Sequence, residues 1–526
     1  MPITGIPRMI DGLSGDQIVR QRRDSKLKRR MIPYCLALLL GVILLMASGC
    51  AQTDQNRYTI LIAKNGTTYP AHAYARLGDE TLLVPVNVIK AYLYPDIVLE
   101  GQLNRAKIMI RQPQFHMETS GLDQRLRNGV ELSFRTEFID NEYYLDISGL
   151  EKILGFTVSR QEDFRQVILA NPADYPDRQL NKTRPRWTYN GKINLVWENV
   201  PFNKPISPDL AKETKISGLD ILSPTWFAIA KDGNVVNNAS RKYVLDAHRL
   251  GYKVWALVRN GDFDPDVMRS ILTNEVVQDK AIDQLLVYAA LYDLDGINID
   301  FEDIYEADRD LLTAFVARMT KALHEQNLIV SIDVTVPSET PNWSKCYDRR
   351  GLGKVVDYMM LMTYDETWAA SPVSGPVASL DWVEKGLKNT LALDVPPHKL
   401  LLGLPLYNRE WREVANGRGG IKAKSKTFYM QQVQDVIQEK NLQPVFLENK
   451  GYRYVEYQHD GALHRFWVEE PESIARKVTL VAKYDLAGAA SWRRGFEVPA
   501  VWPILEQALK GPGRTDPNEP FSQNAP

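Results

Sequence analysis

Asp295-Gly296-Ile297-Asn298-Ile299-Asp300-Phe301-Glu302 is the stretch on which the fold of this chain turns. Ile297, Ile299 and Phe301 alternate with Asn298, Asp300 and Glu302, so it reads as a strand with one apolar face and one acid-and-amide face. A core-facing strand would not place three hydrophilic groups in a row on one side, because burying them unpaired costs several kcal/mol. The polar face must therefore line a wet or ligand-filled cavity.

Working outward, strand-like apolar runs fall at Ile193–Trp197, Ile221–Trp226, Val254–Val258, Leu294–Glu302, Ile329–Thr335, Val356–Tyr364, Leu400–Leu404 and Ala487–Trp492. Helical patterns lie between them; Leu311, Leu312, Phe315, Val316, Met319 and Leu323 mark one such face. Eight parallel strands alternating with helices predict an α/β fold, a (β/α)8 TIM barrel, whose chemistry sits at the C-terminal ends of the strands. The octapeptide is then strand four, with Glu302 at its mouth.

The 526 residues, 44% hydrophobic and 25% charged, leave room for two or three domains. A net charge of −1 gives no electrostatic case for nucleic acid or an acidic polymer. Three cysteines, Cys35, Cys50 and Cys346, cannot build a disulfide framework or a thiolate zinc site. No metal or cofactor is expected.

Residues 1–50 read as a leader. Arg20, Arg22, Arg23, Lys26, Lys28, Arg29 and Arg30 precede an apolar run from Met31 to Met46, then Ala47-Ser48-Gly49-Cys50. The run is shorter than the ~20 residues of a membrane span. Ending in cysteine, it resembles a bacterial lipoprotein signal, although Ala47 stands where Leu is commoner; lipidation at Cys50 would anchor the protein to a membrane. Cleavage before Cys50 and an uncleaved anchor both place the rest outside the cytoplasmic membrane. The basic stretch is long for such a leader, which points to a start codon further downstream.

Residues 51–170 look internally duplicated. Thr81–Val86, Val88–Leu93 and Lys107–Ile110 recur 61 positions on as Tyr143–Ile147, Leu150–Gly155 and Gln166–Leu169, each copy a β-α-β-β unit. This α+β pattern resembles the stalk-like domain named after the N-terminus of copper amine oxidases. No His/Cys cluster is present to hold copper, and a spacer or wall-binding role is the most it supports. A polar, proline-interrupted linker spans 171–190, and a Pro/Asn/Gly-rich tail over 511–526 reads as disordered.

Over residues 191–510 the motifs combine. Asp295–Glu302 resembles the DxxDxDxE signature of family 18 glycoside hydrolases, with Asn298 where the second Asp usually stands. Tyr358–Asp365 (YMMLMTYD) is similar to that family's MxYD strand, Gly403–Tyr407 to its GxPxY ending, and Ser491-Trp492 to the late tryptophan that floors the sugar subsite. An insertion of about 411–472 carries Tyr452, Tyr454, Tyr457 and a tight Asp460-Gly461 turn, similar to the small α+β insertion domain of some members. Among family subgroups it looks most like bacterial spore-cortex and wall N-acetylglucosaminidases.

The resemblance implies an N-acetylated glycan partner, with Glu302 as general acid/base, Asp300 orienting the acetamido group and Tyr364 bonding its oxygen. It implies sugar contacts from Trp492, Met362, Asp365, Tyr407 and Trp226, and support from Asn298 and Asp295; Asp295, off the alternation, holds the strand's start or a group behind the reacting residues. Alternate residues of a strand stand about 6.6 Å apart on one side, so Asp300 and Glu302 cannot clasp a sugar from opposite faces, as two-carboxylate glycosidases require. Attack by the substrate's own acetamido oxygen fits better. Peptidoglycan or cortex is the expected substrate, with chitin as the alternative, and a non-catalytic sugar-binding relative is the reading from another class.

Overall fold

The computed structural model describes residues 56–64, 67–78, 80–110, 129–170, 187–203, 206–415 and 420–511. The leader with Cys50, the linker up to residue 186 and the tail from residue 512 lie outside the described residues. Among the described residues no helix is long and apolar enough to cross a membrane.

The first part is one nine-stranded sheet of β1 (Arg57–Lys64), β2 (Thr67–Leu77), β3 (Leu82–Pro85), β4 (Val98–Glu100), β5 (Arg105–Ile110), β6 (Val130–Ile139), β7 (Glu142–Asp146), β8 (Thr157–Gln161) and β9 (Gln166–Ala170). Its order is β4-β5-β6-β7-β3-β2-β1-β9-β8. The 61-residue offset reaches the backbone. Gly101–Leu103 and Glu162–Phe164 each form a 3-10 turn, closed by left-handed residues Asn104 (φ 49°) and Arg165 (φ 51°).

The barrel is built from β10 (Ile193–Glu198), β11 (Ile221–Ile229), β13 (Lys253–Arg259), β14 (Gly296–Asp300), β15 (Ile329–Thr335), β16 (Tyr358–Met362), β17 (Leu400–Pro405) and β23 (Gly488–Trp492). All neighbours pair in parallel, and β10 bonds both β11 and β23, which closes the ring. A short β12 (Val235–Asn237) folds back on β11. Around it lie α1 (Arg241–Arg249), α2 (Pro265–Leu272), α3 (Glu275–Tyr292), α4 (Arg309–His324), α5 (Arg349–Val355) and α6 (Leu380–Leu391). The α2 and α3 starts follow from the sequence: Asp264 and Asn274 accept the first free N–H groups of the helices, and Pro265 has no N–H to leave unpaired.

Between β17 and β23 the insertion is a five-stranded antiparallel sheet, β18 (Tyr407–Ala415), β19 (Ile421–Tyr429), β20 (Val445–Leu447), β21 (Tyr452–His459) and β22 (Ala462–Val468), in the order β19-β18-β22-β21-β20. Helix α7 (Met430–Glu439) belongs to it, and α8 (Pro471–Lys483) and α9 (Val501–Lys510) complete the barrel's helical layer. Asp460 and Gly461 turn β21 into β22 with both φ positive, as the tight turn requires.

The first sheet is bonded to the barrel. Arg105 donates to Asn237 O and Asn238 Oδ1 at 3.0 and 2.9 Å, and the Tyr288 hydroxyl of α3 bonds the Ser133 backbone. Trp187 and Tyr189, inside the expected linker, instead close the barrel's N-terminal end, where Trp187 stands edge-on to Trp255 at 5.7 Å.

One device recurs along that end. Asp220, Asp295 and Asp357 directly precede β11, β14 and β16, and each accepts the N–H of the second residue of the preceding barrel strand. The donors are Asn194 at 2.8 Å, Val254 at 2.9 Å and Val330 at 2.9 Å. Basic groups from outside hold the same carboxylates: Lys510 on Asp220, His248 and Lys253 on Asp295, His324 on Asp357. Burial works to raise the Asp295 pKa, but the His248 bond, the Val254 N–H and Lys253 bring it below its ordinary value. A depressed folded pKa contributes stability above the unfolded value that is lost as pH falls through the folded one. Asp295→Asn should therefore lower stability by about 1–3 kcal/mol at pH 7, and the gap to wild type should close as the melt is repeated at progressively more acid pH.

Candidate active site

The acid-bearing face of β14 points into the barrel, and each polar group on it has a different fate. Asn298 is fully buried. Its Oδ1 accepts from Trp197 Nε1 at 2.7 Å and Ser223 Oγ at 3.2 Å, and its Nδ2 donates to Asp333 Oδ1 at 2.8 Å and Ser331 Oγ at 3.2 Å. The amide thus ties together four strands, β10, β11, β14 and β15.

Asp300 closes the ladder of β14. Its carboxyl bonds that of Glu302, and no N–H or hydroxyl of the described residues donates to its buried Oδ1. Such an atom is costly unless something that binds later supplies a donor. Burial is the main cause that pushes Asp300 up to about 6, against the downward pull of Glu302 and Arg259. Glu302 rises well above the carboxylate range, through burial first and then the negative charges of Asp300, Asp333 and Asp365. The pair therefore holds a proton near neutrality, and it belongs to Glu302.

Glu302 lies beyond the end of the strand, shorter than the expected Leu294–Glu302, so no neighbouring backbone is left to bond it. Side chains take over. Asn260, fully buried just past β13, accepts from Glu302 N at 2.9 Å and donates to Glu302 O at 2.8 Å. The Tyr347 hydroxyl donates to Phe301 O at 2.7 Å. Asp303 then takes a left-handed φ of 49° and accepts from Asn342 at 3.1 Å.

Tyr364 and Trp492 complete the wall and floor. Both pack on the buried Trp197, Tyr364 edge-on at 6.5 Å and Trp492 tilted at 6.1 Å. The Tyr364 hydroxyl stays protonated, since burial and then Asp333, Tyr407 and the acid pair raise it well above its usual value. Met362 lies beneath, 9% exposed. Asp365, at φ 58°, accepts from the Tyr407 hydroxyl and from Arg409, both on the first strand of the insertion. A separate cavity of about 320 Å³ lies in the insertion against Ile437, Arg453 and Glu470 and shares no residue with the acids.

One expected role needs revision. Trp226 is not a sugar contact: it is fully buried on the outer face of β11, edge-on to Tyr243 of α1 at 5.3 Å, with its Nε1 bonded to Ser207 at 3.0 Å. Ser223 faces inward, and Trp226, an odd number of residues on, faces out. Asp295 sits at the opposite end of the strand from Glu302 and supports the rim, as expected of a residue holding the strand's start. Asn260, Tyr347, Asp333 and Arg409 went unnoticed. Only Asp333 left a trace, as an acid at an inward position of the apolar run Ile329–Thr335.

Comparison with known proteins agrees with this geometry. Residues 261–497 match the sequence profile described as Glycosyl hydrolases family 18. The chain carries a family 18 glycosyl hydrolase domain and is a glycosidase. Over 305 residues it is 26% identical to a Bacillus subtilis protein described as uncharacterized glycosylase YvbX, covering 56% of this chain and 85% of that protein. It is 23% identical over 318 residues to the cortical fragment-lytic enzyme of Bacillus anthracis, covering 58% and 72%. The crystal structure of a chitinase from Chromobacterium violaceum superposes with a TM-score of 0.52 at 26% identity, covering 60% of this chain and 98% of that one.

Asn260→Ala removes both bonds that fix the Glu302 backbone. At about 1.4 kcal/mol per tenfold, losing two such bonds should slow turnover about tenfold to a hundredfold. KM should change little, while the melting temperature should fall, because the Glu302 N–H and C=O lose their buried partner. Full turnover in this variant would mean that β14 alone positions Glu302.

Proposed function

We propose that this protein is an extracytoplasmic hydrolase of β-1,4 bonds in N-acetylglucosamine-containing glycans, peptidoglycan or spore cortex in the first place. It acts with retention, through neighbouring-group attack by the substrate's acetamido oxygen. The observation that carries this reading is the direct bond between the Asp300 and Glu302 carboxyls. Retaining enzymes with a protein nucleophile hold their two carboxyls about 5–5.5 Å apart, across the scissile bond. Two carboxyls bonded to each other leave no room for a sugar between them.

Each group then has one task. Glu302, protonated by its surroundings, gives its proton to the glycosidic oxygen as the bond breaks. Asp300 takes the acetamido N–H on its carboxylate and balances the positive oxazolinium charge. Tyr364 donates a hydrogen bond from its hydroxyl to the acetamido oxygen and holds it near the anomeric carbon, which makes the attack intramolecular. Trp492 offers its face to the sugar ring, and Glu302, now ionised, draws a proton from the water that opens the intermediate.

The name of the Bacillus anthracis relative favours cortex or wall glycan, and the Chromobacterium violaceum chitinase favours chitin. Digestion of both polymers by residues 51–526, with products identified by mass, separates the two, and cleavage of neither would favour a sugar-binding role. The basic, apolar, cysteine-ended leader supports a place outside the membrane. Cys50→Ser should release the protein from membranes or leave an uncleaved precursor, and wild-type protein found in the cytoplasm would refute lipidation.

Glu302→Gln keeps shape but has no proton to give, so turnover should fall by about 10²–10⁴-fold with binding retained. Asp300 must be ionised, so kcat should decline as pH falls through about 6. Asp300→Asn and Tyr364→Phe should lower kcat far more than they alter KM. De-N-acetylated glycan should bind without being cut, and a thiazoline analogue of the intermediate should inhibit. A covalent sugar trapped on Asp300 would overturn the neighbouring-group route.

A further inference from the structure

Barrel register brings a third carboxyl beside the reacting pair. Asn298 pairs with Ser331 and Ile299 with Ile332, so the next residues, Asp300 and Asp333, stand at one height on adjacent strands, whose axes are about 4.8 Å apart. Both lie on the inward side, two residues beyond Asn298 and Ser331. Asp333 is 2% exposed and takes the Nδ2 bond of Asn298 at 2.8 Å. With all its hydrogen-bonding groups engaged, Asn298 can bond and orient a carboxyl but can neither hold an acid proton nor carry charge. The carboxyls gathered around this amide are therefore Asp300, Glu302 and Asp333.

We propose that Asp333 is a tuning residue of this active site: the buried carboxyl behind Asn298 that keeps the proton on Glu302 across the working pH range. The proposal rests on the role given to Glu302 above. The groups facing Asp333 are Asn298 and Asp300 from β14, Ser331 from its own strand, Trp197 from β10, Met360 from β16 and Tyr364 beyond it. None is a cation. Arg259 on β13 acts on Asp300 instead.

Like charge sets the sign. Burial and then the charge of Asp300 hold Asp333 well above the carboxylate range. Burial and then the charges of Asp300, Asp333 and Asp365 hold Glu302 above it in turn. Taking the charge away from residue 333 makes the Glu302 proton easier to lose, so the alkaline limb of kcat/KM must move to lower pH.

The pH profile of kcat/KM on soluble N-acetylglucosamine oligosaccharides tests this. Asp333→Asn should bring the alkaline limb down by about one pH unit or more, with little change near pH 6. The exchange variant Asn298→Asp/Asp333→Asn keeps one amide against one carboxyl and should move the limb back towards wild type. An unmoved limb in Asp333→Asn, or an exchange variant no different from it, overturns the proposal. If Asp333→Asn does not fold, Asn298→Asp decides: a second carboxyl against Asp333 must raise the limb, and an unchanged limb refutes the idea. A wild type inactive on every N-acetylated glycan would instead remove the functional reading. An active wild type whose limb ignores both substitutions removes only the role of Asp333.

Discussion

Crowding three carboxyls into the mouth of a closed barrel, Asp300 and Asp333 buried and Glu302 half-buried, is the constraint that organises the upper half of this molecule. Asp300, Glu302 and Asp333 lie in a layer where TIM barrels usually pack branched apolar side chains. Ionising all three in so little water would be prohibitive. The cost is lowered by sharing: one carboxyl bonds the next, an amide stands beside the third, and protons stay on where they would otherwise leave. The acidity the reaction needs is thus a by-product of the packing problem. A general acid protonated at neutral pH is what a half-buried glutamate crowded by other acids becomes.

The same residue type has the opposite task at the other end of the strands. Asp220, Asp295 and Asp357 are surrounded by basic groups and backbone N–H donors, and Asp295 is held in its ionised form. Asp295 and Glu302 stand seven residues apart in one segment, one braced by His248 and Lys253, the other set among acids, an amide and tyrosine hydroxyls. Environment, rather than residue type, separates the bracing carboxylates from the reacting ones. The division also follows the barrel's polarity, with stability at the N-terminal ends of the strands and chemistry at the C-terminal ends.

What could be read from sequence was whatever is local and periodic. Alternation over Asp295–Glu302 gave the strand, its inward face and its acids, and the eight apolar runs gave the barrel with end errors of two residues or so. The same alternation should have turned Trp226 outward, since Ser223 and Trp226 differ by an odd number. Aromatic residues near a strand's end attract a functional reading that burial does not respect. Asn260 and Tyr347 were illegible for another reason. Their importance lies in the missing backbone partners of Glu302, a lack visible only once the ladder is seen to stop at Asp300. Asp333 is an intermediate case: an acid in an apolar strand is conspicuous, but its neighbour across the ladder depends on register.

The insertion contributes more than a wall. Its first strand begins two residues after Pro405, so Tyr407 and Arg409 reach Asp365 while still close to the barrel's mouth. Asp365 is one of the charges that oppose ionisation of Glu302, and Arg409, 6% exposed, neutralises it in part. How firmly the insertion is seated therefore bears on the acid's proton. Its seat is a buried ion pair: Lys477 of α8 bonds both oxygens of Glu469, which also accepts from the Tyr452 hydroxyl of β21 at 2.6 Å. Buried pairs of this kind add little net stability, but breaking one strands a charge in the interior. Glu469 is also bonded through its backbone to the buried Asn408, giving its N–H to Asn408 Oδ1 at 2.6 Å and taking Asn408 Nδ2 on its carbonyl at 3.0 Å, so the same contact ties α8 to the strand that carries Arg409.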